Sequence, residues 1–196
     1  MGRQSPGDEQ ELRALLALPA PRAARALLGS VLTRRQGRRL LRARIVETEA
    51  YLGERDPAAH AFRGRTPRTE PLWGPPGTVY VYFIYGMHHC LNLAVDREGV
   101  PGCVLIRAAE PLDGGLAADA LSGPGRLCRG LEIDTRLSGT HLFAPGAPLT
   151  LAPGTAPRHI AVTPRVGISQ AAERRLRFFD ADSRAVSRGP ARVRTR

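Results

Sequence analysis

The sequence contains no lysine, so all 29 of its basic side chains are arginines. Against 18 acidic residues they give a formal net charge of +11, which predicts a polyanionic partner such as nucleic acid or an anionic membrane surface. The codon bias of a GC-rich genome is a second explanation for the arginine excess. In either case arginine favours forked contacts to phosphate over single-point contacts.

Long apolar runs and nucleotide-binding motifs are also missing. No stretch approaches the ~18 consecutive apolar residues of a membrane span, and the segment from Met1 to Gln10 is polar, without the apolar core of a signal peptide. We therefore expect a soluble, cytoplasmic protein that makes no membrane contact. No Gly-rich phosphate-binding motif of the Rossmann or P-loop type occurs, which argues against a nucleotide cofactor.

The three cysteines, Cys90, Cys103 and Cys128, are odd in number and lack Cys-x-x-Cys spacing. This pattern indicates neither a disulfide framework nor a zinc site. We expect buried thiols in a reducing compartment, and neither a metal nor any other cofactor.

The 196 residues, 42% of them hydrophobic, are enough for one domain with a substantial core. We expect a single domain in which residues 9–186 are folded and residues 1–8 and 187–196 are flexible. Two short helices are predicted between Glu9 and Leu28, a helix over Leu121–Ile133, and a helical turn around Pro57–Phe62 within an irregular Gly53–Gly77 segment. The predicted strands are Leu40–Tyr51, Thr78–Phe83, Cys90–Val95, Cys103–Ala108, Leu149–Leu151, His159–Val162 and Arg177–Phe179.

Two glutamates lie near the end of the first predicted strand. Glu47 and Glu49 are two positions apart, so they point to the same face of a strand, and Tyr51 follows in the same phase. Such a pair is commonly an exposed acidic edge bound to arginines. The alternative is a general base beside a stacking aromatic ring.

The tyrosines are concentrated in one place, because Tyr80, Tyr82 and Tyr85 are three of only four in the chain. They lie just before Gly86, which indicates a turn and so predicts a hairpin. Such a cluster forms either an aromatic ladder within the core or a stacking surface. A tyrosine at a hairpin tip is hard to bury, and it is suited to wedging into a base stack.

A series of motifs follows in order along the chain. They are VETEAYLG at 46–53, DPAAH at 56–60, TPR at 66–68, PGTVYVY at 76–82, IYGM at 84–87, Asn92, CVLIR at 103–107, SGPGRLC at 122–128 and PRVG at 164–167. Together they resemble the alkyladenine (3-methyladenine) DNA glycosylase family, and the resemblance runs from about Leu27 through Phe179.

The resemblance implies a single mixed α/β domain of the α+β type: a curved antiparallel sheet flanked by helices, with a hairpin over 80–92 that projects into DNA. It also implies a reaction, the removal of a damaged purine from duplex DNA by water. Glu49 matches the residue that deprotonates the water, Arg107 matches one that helps hold it, and Val166 matches the residue whose backbone carbonyl assists.

The same resemblance implies a pocket for a flipped purine and a set of DNA contacts. Tyr51 and Tyr82 would stack on the base, His60 would meet its edge, Asn92 would crowd the amino group of normal guanine, and Leu105 would line the pocket. The other matched positions are Tyr85, Met87 and His88, for intercalation and the minor groove, and Thr66, Arg68 and Arg126, for phosphates.

Each match has a plainer alternative. His60 is compatible with an ordinary surface histidine, Asn92 with a strand cap, and Arg107 with a counter-charge to a buried glutamate. Thr66, Arg68 and Arg126 are compatible with a solvated basic face. The ordered occurrence of all the motifs together favours the functional assignments.

Glycosylases that also cleave the strand need an amine to form a Schiff base with the sugar, and lysine usually supplies it. Because the chain has no lysine, we expect base release from double-stranded DNA without strand cleavage. The expected lesions are 3-methyladenine, 7-methylguanine, hypoxanthine and ethenoadenine, and the expected state is a monomer. Two rival functions are a non-catalytic basic protein that binds damaged DNA and a metal-dependent hydrolase such as a nuclease.

Overall fold

The structure is a computed structural model that describes residues 6–84 and 86–187. Its helices are α1 (Pro6–Leu16), α2 (Ala20–Ala26) and α3 (Pro124–Gly130). The first two are separated at Pro19, which has an extended ψ of 143° and lets the chain turn back. Within the described ranges, no helix has the length and apolar character needed to cross a membrane.

In the described part of the chain, eight strands form one antiparallel sheet, in the order β3-β4-β5-β2-β1-β6, with β8 paired to β2 and β7 paired to β8. The domain is therefore mixed α+β with a curved antiparallel sheet, as predicted. The strands are β1 (Val31–Gln36), β2 (Arg39–Tyr51), β3 (Val79–Ile84), β4 (His88–Val95), β5 (Gly102–Pro111), β6 (Leu149–Ala152), β7 (Ile160–Thr163) and β8 (Arg177–Asp180).

Strand β2 is the centre of this sheet. One of its edges pairs with β5, while the other pairs first with β1, up to Arg44, and then with β8, from Glu47 to Glu49. The register with β5 shifts on both sides of Glu47, which marks a β-bulge. Because a bulge bends a strand and redirects its side chains, β2 changes neighbours at the two glutamates.

The main core lies between the helices and the sheet. Leu12, Leu16 and Leu27 are almost fully buried and belong to one cluster with Ile45 and Ile106 of the sheet. Helix α2 packs on β2 and β5, and α3 packs on β4 and β5. The two helical groups therefore hold the strands that carry the candidate site.

The structure departs from the sequence predictions at three elements. Strand β1 was not predicted, because its alternation is obscured by Arg34, which is only 9% exposed and donates to the Pro148 carbonyl at 3.2 Å. The predicted helix over Leu121–Ile133 is shorter, since α3 covers only Pro124–Gly130. The irregular Gly53–Gly77 segment contains three short 3₁₀ helices, at Gly53–Arg55, His60–Arg63 and Glu70–Trp73.

The ends of the described chain differ by a few residues from the expected limits of 9 and 186. Helix α1 already begins at Pro6, and Ser187 is buried, with 8% exposure. Residues 1–5 and 188–196, for which we predicted flexibility, lie outside the described residues, as does Tyr85.

Leu91 is fully buried in β4, whereas Leu112 is 48% exposed just after β5. We expect Leu91→Ala to lower the free energy of unfolding by about 2–5 kcal/mol, through lost burial and the cavity that remains. Leu112→Ala is the matched control, for which a change within about 0.5 kcal/mol is expected. Urea unfolding followed by circular dichroism measures both, and equal losses would contradict the assignment of β4 to the core.

Candidate active site

One cavity of about 370 Å³ collects most of the residues that the sequence singled out. It lies between the face of the sheet formed by β2 to β5 and the loops that cross it. The expected members that line it are Tyr51, His60, Tyr82, His88, Asn92, Leu105, Arg107 and Val166. Five segments distant in sequence thus contribute to a single site.

Glu49 lies directly behind the wall of this cavity. Its side chain has no exposed surface, and it contacts three residues that line the cavity. Oε1 accepts the backbone N–H of Val166 at 2.7 Å and lies 3.4 Å from Nη1 of Arg107, while Oε2 accepts the Tyr51 hydroxyl at 2.9 Å. A carboxylate accepts about four hydrogen bonds, so one lone pair remains for a further donor.

The surroundings of Glu49 act on its proton affinity in opposite directions. Burial raises the pKa of Glu49, and this effect outweighs Arg107, the Val166 N–H and the Tyr51 hydroxyl, which each lower it. A carboxylate with a raised pKa is a stronger base once it is ionised. The site therefore holds a basic carboxylate beside a positive charge.

Arg107 is fixed by Glu47, the other glutamate of the motif. Its Nε donates to Glu47 Oε1 at 3.0 Å, and Arg177 donates to the same oxygen at 2.6 Å. Both arginines and both glutamates are at least nine-tenths buried. The Glu-x-Glu pair is thus not an exposed acidic edge, and Glu47 and Glu49 lie on one side of β2, as their spacing predicted.

Tyr51 has a charged residue behind its ring. The Arg165 guanidinium lies 4.6 Å from the ring centroid, and its Nη2 donates to Asp56 Oδ1 at 2.9 Å. The side chains of Arg165 and Asp56 have no exposed surface. Burial tends to raise the pKa of Asp56, but hydrogen bonds from Arg165 and from the Leu52 backbone outweigh it and lower that pKa. This ion pair supports the face of Tyr51 turned away from the cavity.

The opposite wall carries an aromatic cluster. His60 contacts Tyr82 edge to face, with centroids 4.3 Å apart, and its Nδ1 forms a 2.9 Å hydrogen bond with the Tyr80 hydroxyl. Burial, with the charge of Arg68, lowers the pKa of His60, so the imidazole is neutral near pH 7. Tyr80 is 1% exposed, and both Tyr80 and Tyr82 line the cavity.

The floor of the cavity is formed by β4 and β5, where Asn92 is paired directly with Leu105. Asn92 is 3% exposed, and its Nδ2 lies 3.4 Å from the carbonyls of both Tyr80 and Cys90. The sulfur of Cys103 is 3.9 Å from Asn92 Oδ1. The amide is therefore held in one orientation by its strand neighbours.

The β3–β4 hairpin carries exposed apolar side chains at its end. Met87 is 68% exposed and Phe83 47%, while Tyr85 lies outside the described residues. His88 instead turns into the cavity, against Gly125. A Cβ at Gly125 would lie 2.9 Å from His88 Cγ, so this close approach requires glycine.

The three expected phosphate contacts are all exposed. Arg68 lies near the cavity, with its guanidinium 5.8 Å from the Tyr82 ring centroid. Thr66 forms a hydroxyl pair with Thr69 at 2.9 Å, and Arg126 forms an exposed ion pair with Asp119 at 3.1 Å. Arg68 thus adjoins the cavity, whereas Arg126 is engaged by an acidic neighbour.

Sequence reasoning missed several residues that build the site. Asp56 and Arg165 belong to the quoted motifs, but no role was assigned to them, and Cys90 and Cys103 line the cavity without having been assigned to it. Cys90 and Asn92 are two residues apart in one strand, so the alternation of side chains places both on the same face. The sequence alone was therefore enough to assign Cys90 to the cavity. Among the residues that the structure describes, no group of three or more His, Cys, Asp or Glu side chains is arranged to hold a metal ion.

Comparisons with known proteins give a consistent result. The family model described as Methylpurine-DNA glycosylase (MPG) matches residues 14–184. A relative from Myxococcus xanthus is 45% identical over 179 residues, covering 89% of this chain and 91% of the relative. One from Synechococcus elongatus is 46% identical over 181 residues, 91% of each chain, and one from Anaeromyxobacter dehalogenans is 48% identical over 175 residues, 84% of this chain and 80% of the relative. All three are provisionally named 3-methyladenine DNA glycosylases.

The buried Arg165–Asp56 pair gives a stability prediction. Asp56→Asn leaves the guanidinium of Arg165 without a counter-charge, so we expect a loss of about 3–5 kcal/mol in the free energy of unfolding. Asp113→Asn is the matched control, because Asp113 is paired with the exposed Arg42, and it should change the stability little. Chemical denaturation of both variants provides the comparison, and a tolerated Asp56→Asn would show that Arg165 is not held by charge pairing.

Proposed function

Because the chain belongs to the methylpurine-DNA glycosylase family, which acts on alkylated bases in DNA, we propose that Glu49 activates the water that releases the base. The observation that carries this proposal is the position of Glu49, which is fully buried behind the cavity and bonded to Tyr51, Arg107 and Val166. The remaining lone pair belongs to Oε2, the oxygen that accepts the Tyr51 hydroxyl, and we propose that the attacking water binds there.

The cavity fits a planar aromatic ligand. Tyr51 and Tyr82 line it from separate elements, and each has an arginine near its ring, Arg165 and Arg68 respectively. Stacking on aromatic side chains is worth about 1–3 kcal/mol per base and tolerates different bases. We propose that an extruded purine is bound between these rings, with His60 and Asn92 at its edges.

The reaction that we propose is hydrolysis at the sugar C1′. The oxygen of water bonds to C1′, the N-glycosidic bond breaks, and its electron pair leaves with the base. Glu49 takes the proton of the water, and its negative charge stabilises the oxocarbenium-like transition state. The products are the free base and an abasic site in an intact strand.

The leaving group determines which lesions need further help. 3-Methyladenine and 7-methylguanine are cationic and depart as neutral bases, so no proton has to be supplied. Hypoxanthine and ethenoadenine are neutral and must first be protonated on the base. We propose that all four are substrates, and that Asn92 restricts normal guanine through its fixed amide at the floor of the cavity.

We propose base release without strand cleavage, and the absence of lysine supports this proposal. The lyase reaction forms a Schiff base between an amine and the opened sugar, and guanidinium groups stay protonated and do not serve as that amine. Water is therefore the nucleophile in this site.

The exposed apolar end of the β3–β4 hairpin supports a wedge into the minor groove, where Tyr85 would fill the gap left by the extruded nucleotide and Met87 would lie beside it. Thr66, Arg68 and Arg126 would grip phosphates, which fixes the register without reading the sequence. We further propose that the protein acts as a monomer, in the cytoplasm at the nucleoid.

Glu49→Gln tests the proposed base directly. The amide keeps the shape of the side chain but accepts no proton, so we expect single-turnover base release to fall by about 10²–10⁴-fold. Binding to a lesion duplex should stay close to wild type. Glu54→Gln, the same change at an exposed glutamate of the neighbouring 3₁₀ helix, is the control. Unchanged release by Glu49→Gln would remove Glu49 from the mechanism.

The raised pKa of Glu49 gives a pH prediction. Glu49 must be ionised to accept a proton, so the rate should rise with pH through its pKa. Because burial raises that pKa, the midpoint should lie above the ordinary glutamate value of about 4.3. With a 7-methylguanine duplex, the pH profile should show only this rise of the rate with pH, the acid limb. With a hypoxanthine duplex, the rate should also fall at high pH, since the base must be protonated. A 7-methylguanine midpoint at or below about 4.3 would contradict the assignment.

A further inference from the structure

The described chain ends beside the active site. Ser187 follows β8 by seven residues and is 8% exposed. Its backbone N–H donates to Glu47 Oε2 at 2.7 Å, and its hydroxyl donates to Glu47 Oε1 at 2.9 Å. Both oxygens of a fully buried carboxylate are thus bound by one residue, 140 positions away in the sequence.

The same residue reaches the two arginines that neutralise Glu47. Its hydroxyl oxygen accepts Nη2 of Arg107 at 3.2 Å, and its carbonyl accepts Nη2 of Arg177 at 3.1 Å. Arg107 is therefore fixed at two nitrogens, Nε by Glu47 and Nη2 by Ser187. Its third nitrogen, Nη1, faces Glu49 at 3.4 Å.

The geometry of these bonds determines what Arg107 does at the site. An unrestrained arginine side chain samples many rotamers, whereas two fixed nitrogens hold the planar guanidinium in one orientation. A group that stabilises charge in a transition state acts best when it is already oriented. Glu47 and Ser187 supply that orientation, although neither lines the cavity.

We propose that Glu47 and Ser187 are positioning residues for base release: the chain segment after β8 closes over Glu47 and aims Nη1 of Arg107 at Glu49 and the attacking water. This inference rests on the proposed role of Glu49. It assigns to the segment a part in the chemistry that an ordinary structural anchor does not have. Loosening the contacts of this segment with Glu47 and Arg107 should alter the rate of the chemical step and the ionisation of Glu49, while DNA binding stays the same.

Ser187→Ala is the test variant, because it removes the hydroxyl that contacts both Glu47 and Arg107 and keeps the backbone N–H. We expect single-turnover release from a 7-methylguanine duplex to fall on the order of tenfold. A misplacement of ~1 Å costs about 10²-fold, and the displacement should be smaller here because Glu47 still holds Nε of Arg107. The Kd for the duplex should stay within about twofold. The acid limb should move to higher pH, because a less ordered Arg107 lowers the pKa of Glu49 less.

Two further variants separate positioning from folding. Ser187→Thr keeps the hydroxyl and should restore most of the rate and the wild-type acid limb. Ser183→Ala removes a hydroxyl of the same segment that binds Glu110 instead, and it should behave as wild type. Thermal unfolding of each variant shows whether a rate loss merely follows a loss of folded protein.

The outcomes are distinct. A wild-type rate and acid limb in Ser187→Ala would overturn the positioning role, as would a rate loss that Ser183→Ala shares or that Ser187→Thr does not relieve. If the wild-type protein binds the duplex but releases no base, the proposed function itself fails. If only Ser187→Ala is slowed, with its acid limb moved upward and its Kd unchanged, the inference holds.

Discussion

Two carboxylates lie without any exposed surface in the middle of the central strand, and burial of an ionised carboxylate is costly unless opposite charge and hydrogen bonds compensate it. Here Glu47 and Glu49 are balanced by Arg107 and Arg177, which are themselves buried. The sheet brings the four together, because β2 pairs with β5, which carries Arg107, and with β8, which carries Arg177. Removing any member would leave an uncompensated charge in the interior.

The bulge at Glu47 makes this arrangement possible. It bends β2 where its neighbour changes from β1 to β8, so one strand serves both the core and the wall of the cavity. On the far side of that wall, Tyr51 is supported by the Arg165–Asp56 pair. The base slot is therefore framed by side chains whose partners are buried ions, and rigid supports of this kind hold a ring in place before the ligand arrives.

Local patterns in the sequence predicted much of this. Period-two alternation gave β2 and its in-phase Glu47, Glu49 and Tyr51, and β-branched and aromatic residues gave β3, β4 and β5. Strand β1 was missed because a buried arginine occupies one of its inward positions, and its partners are carbonyls supplied by the folded chain. A pattern of apolar residues cannot reveal a polar side chain that becomes buried only when the whole sheet is formed.

The candidate site, like the fold, could be predicted only in part from local patterns in the sequence. The prediction that Arg107 acts beside Glu49 came from the family resemblance. Local sequence patterns cannot predict which residues of two strands lie together when a bulge determines the register. Ser187 was beyond reach altogether: a single serine carries no periodic signal, and its role depends on contacts 140 positions away. Residues that act through long-range hydrogen bonds to a buried charge become visible only in three dimensions.

The balance of charges around Glu49 also decides what kind of base it is. Burial raises the pKa of the Glu49 carboxyl, and a protonated acid accepts no proton from water. The charge of Arg107 and two hydrogen bonds lower the pKa and so favour the ionised form, but burial has the larger effect and the pKa stays raised. If Arg107 bound Glu49 more tightly, the carboxylate would be ionised at lower pH but would be a weaker base. Because Glu47 and Ser187 hold Arg107 at its two other nitrogens, Nη1 stays 3.4 Å from Glu49 and continues to lower the pKa of that carboxyl. Without that restraint, the effect of burial would be less opposed and the pKa of Glu49 would rise further.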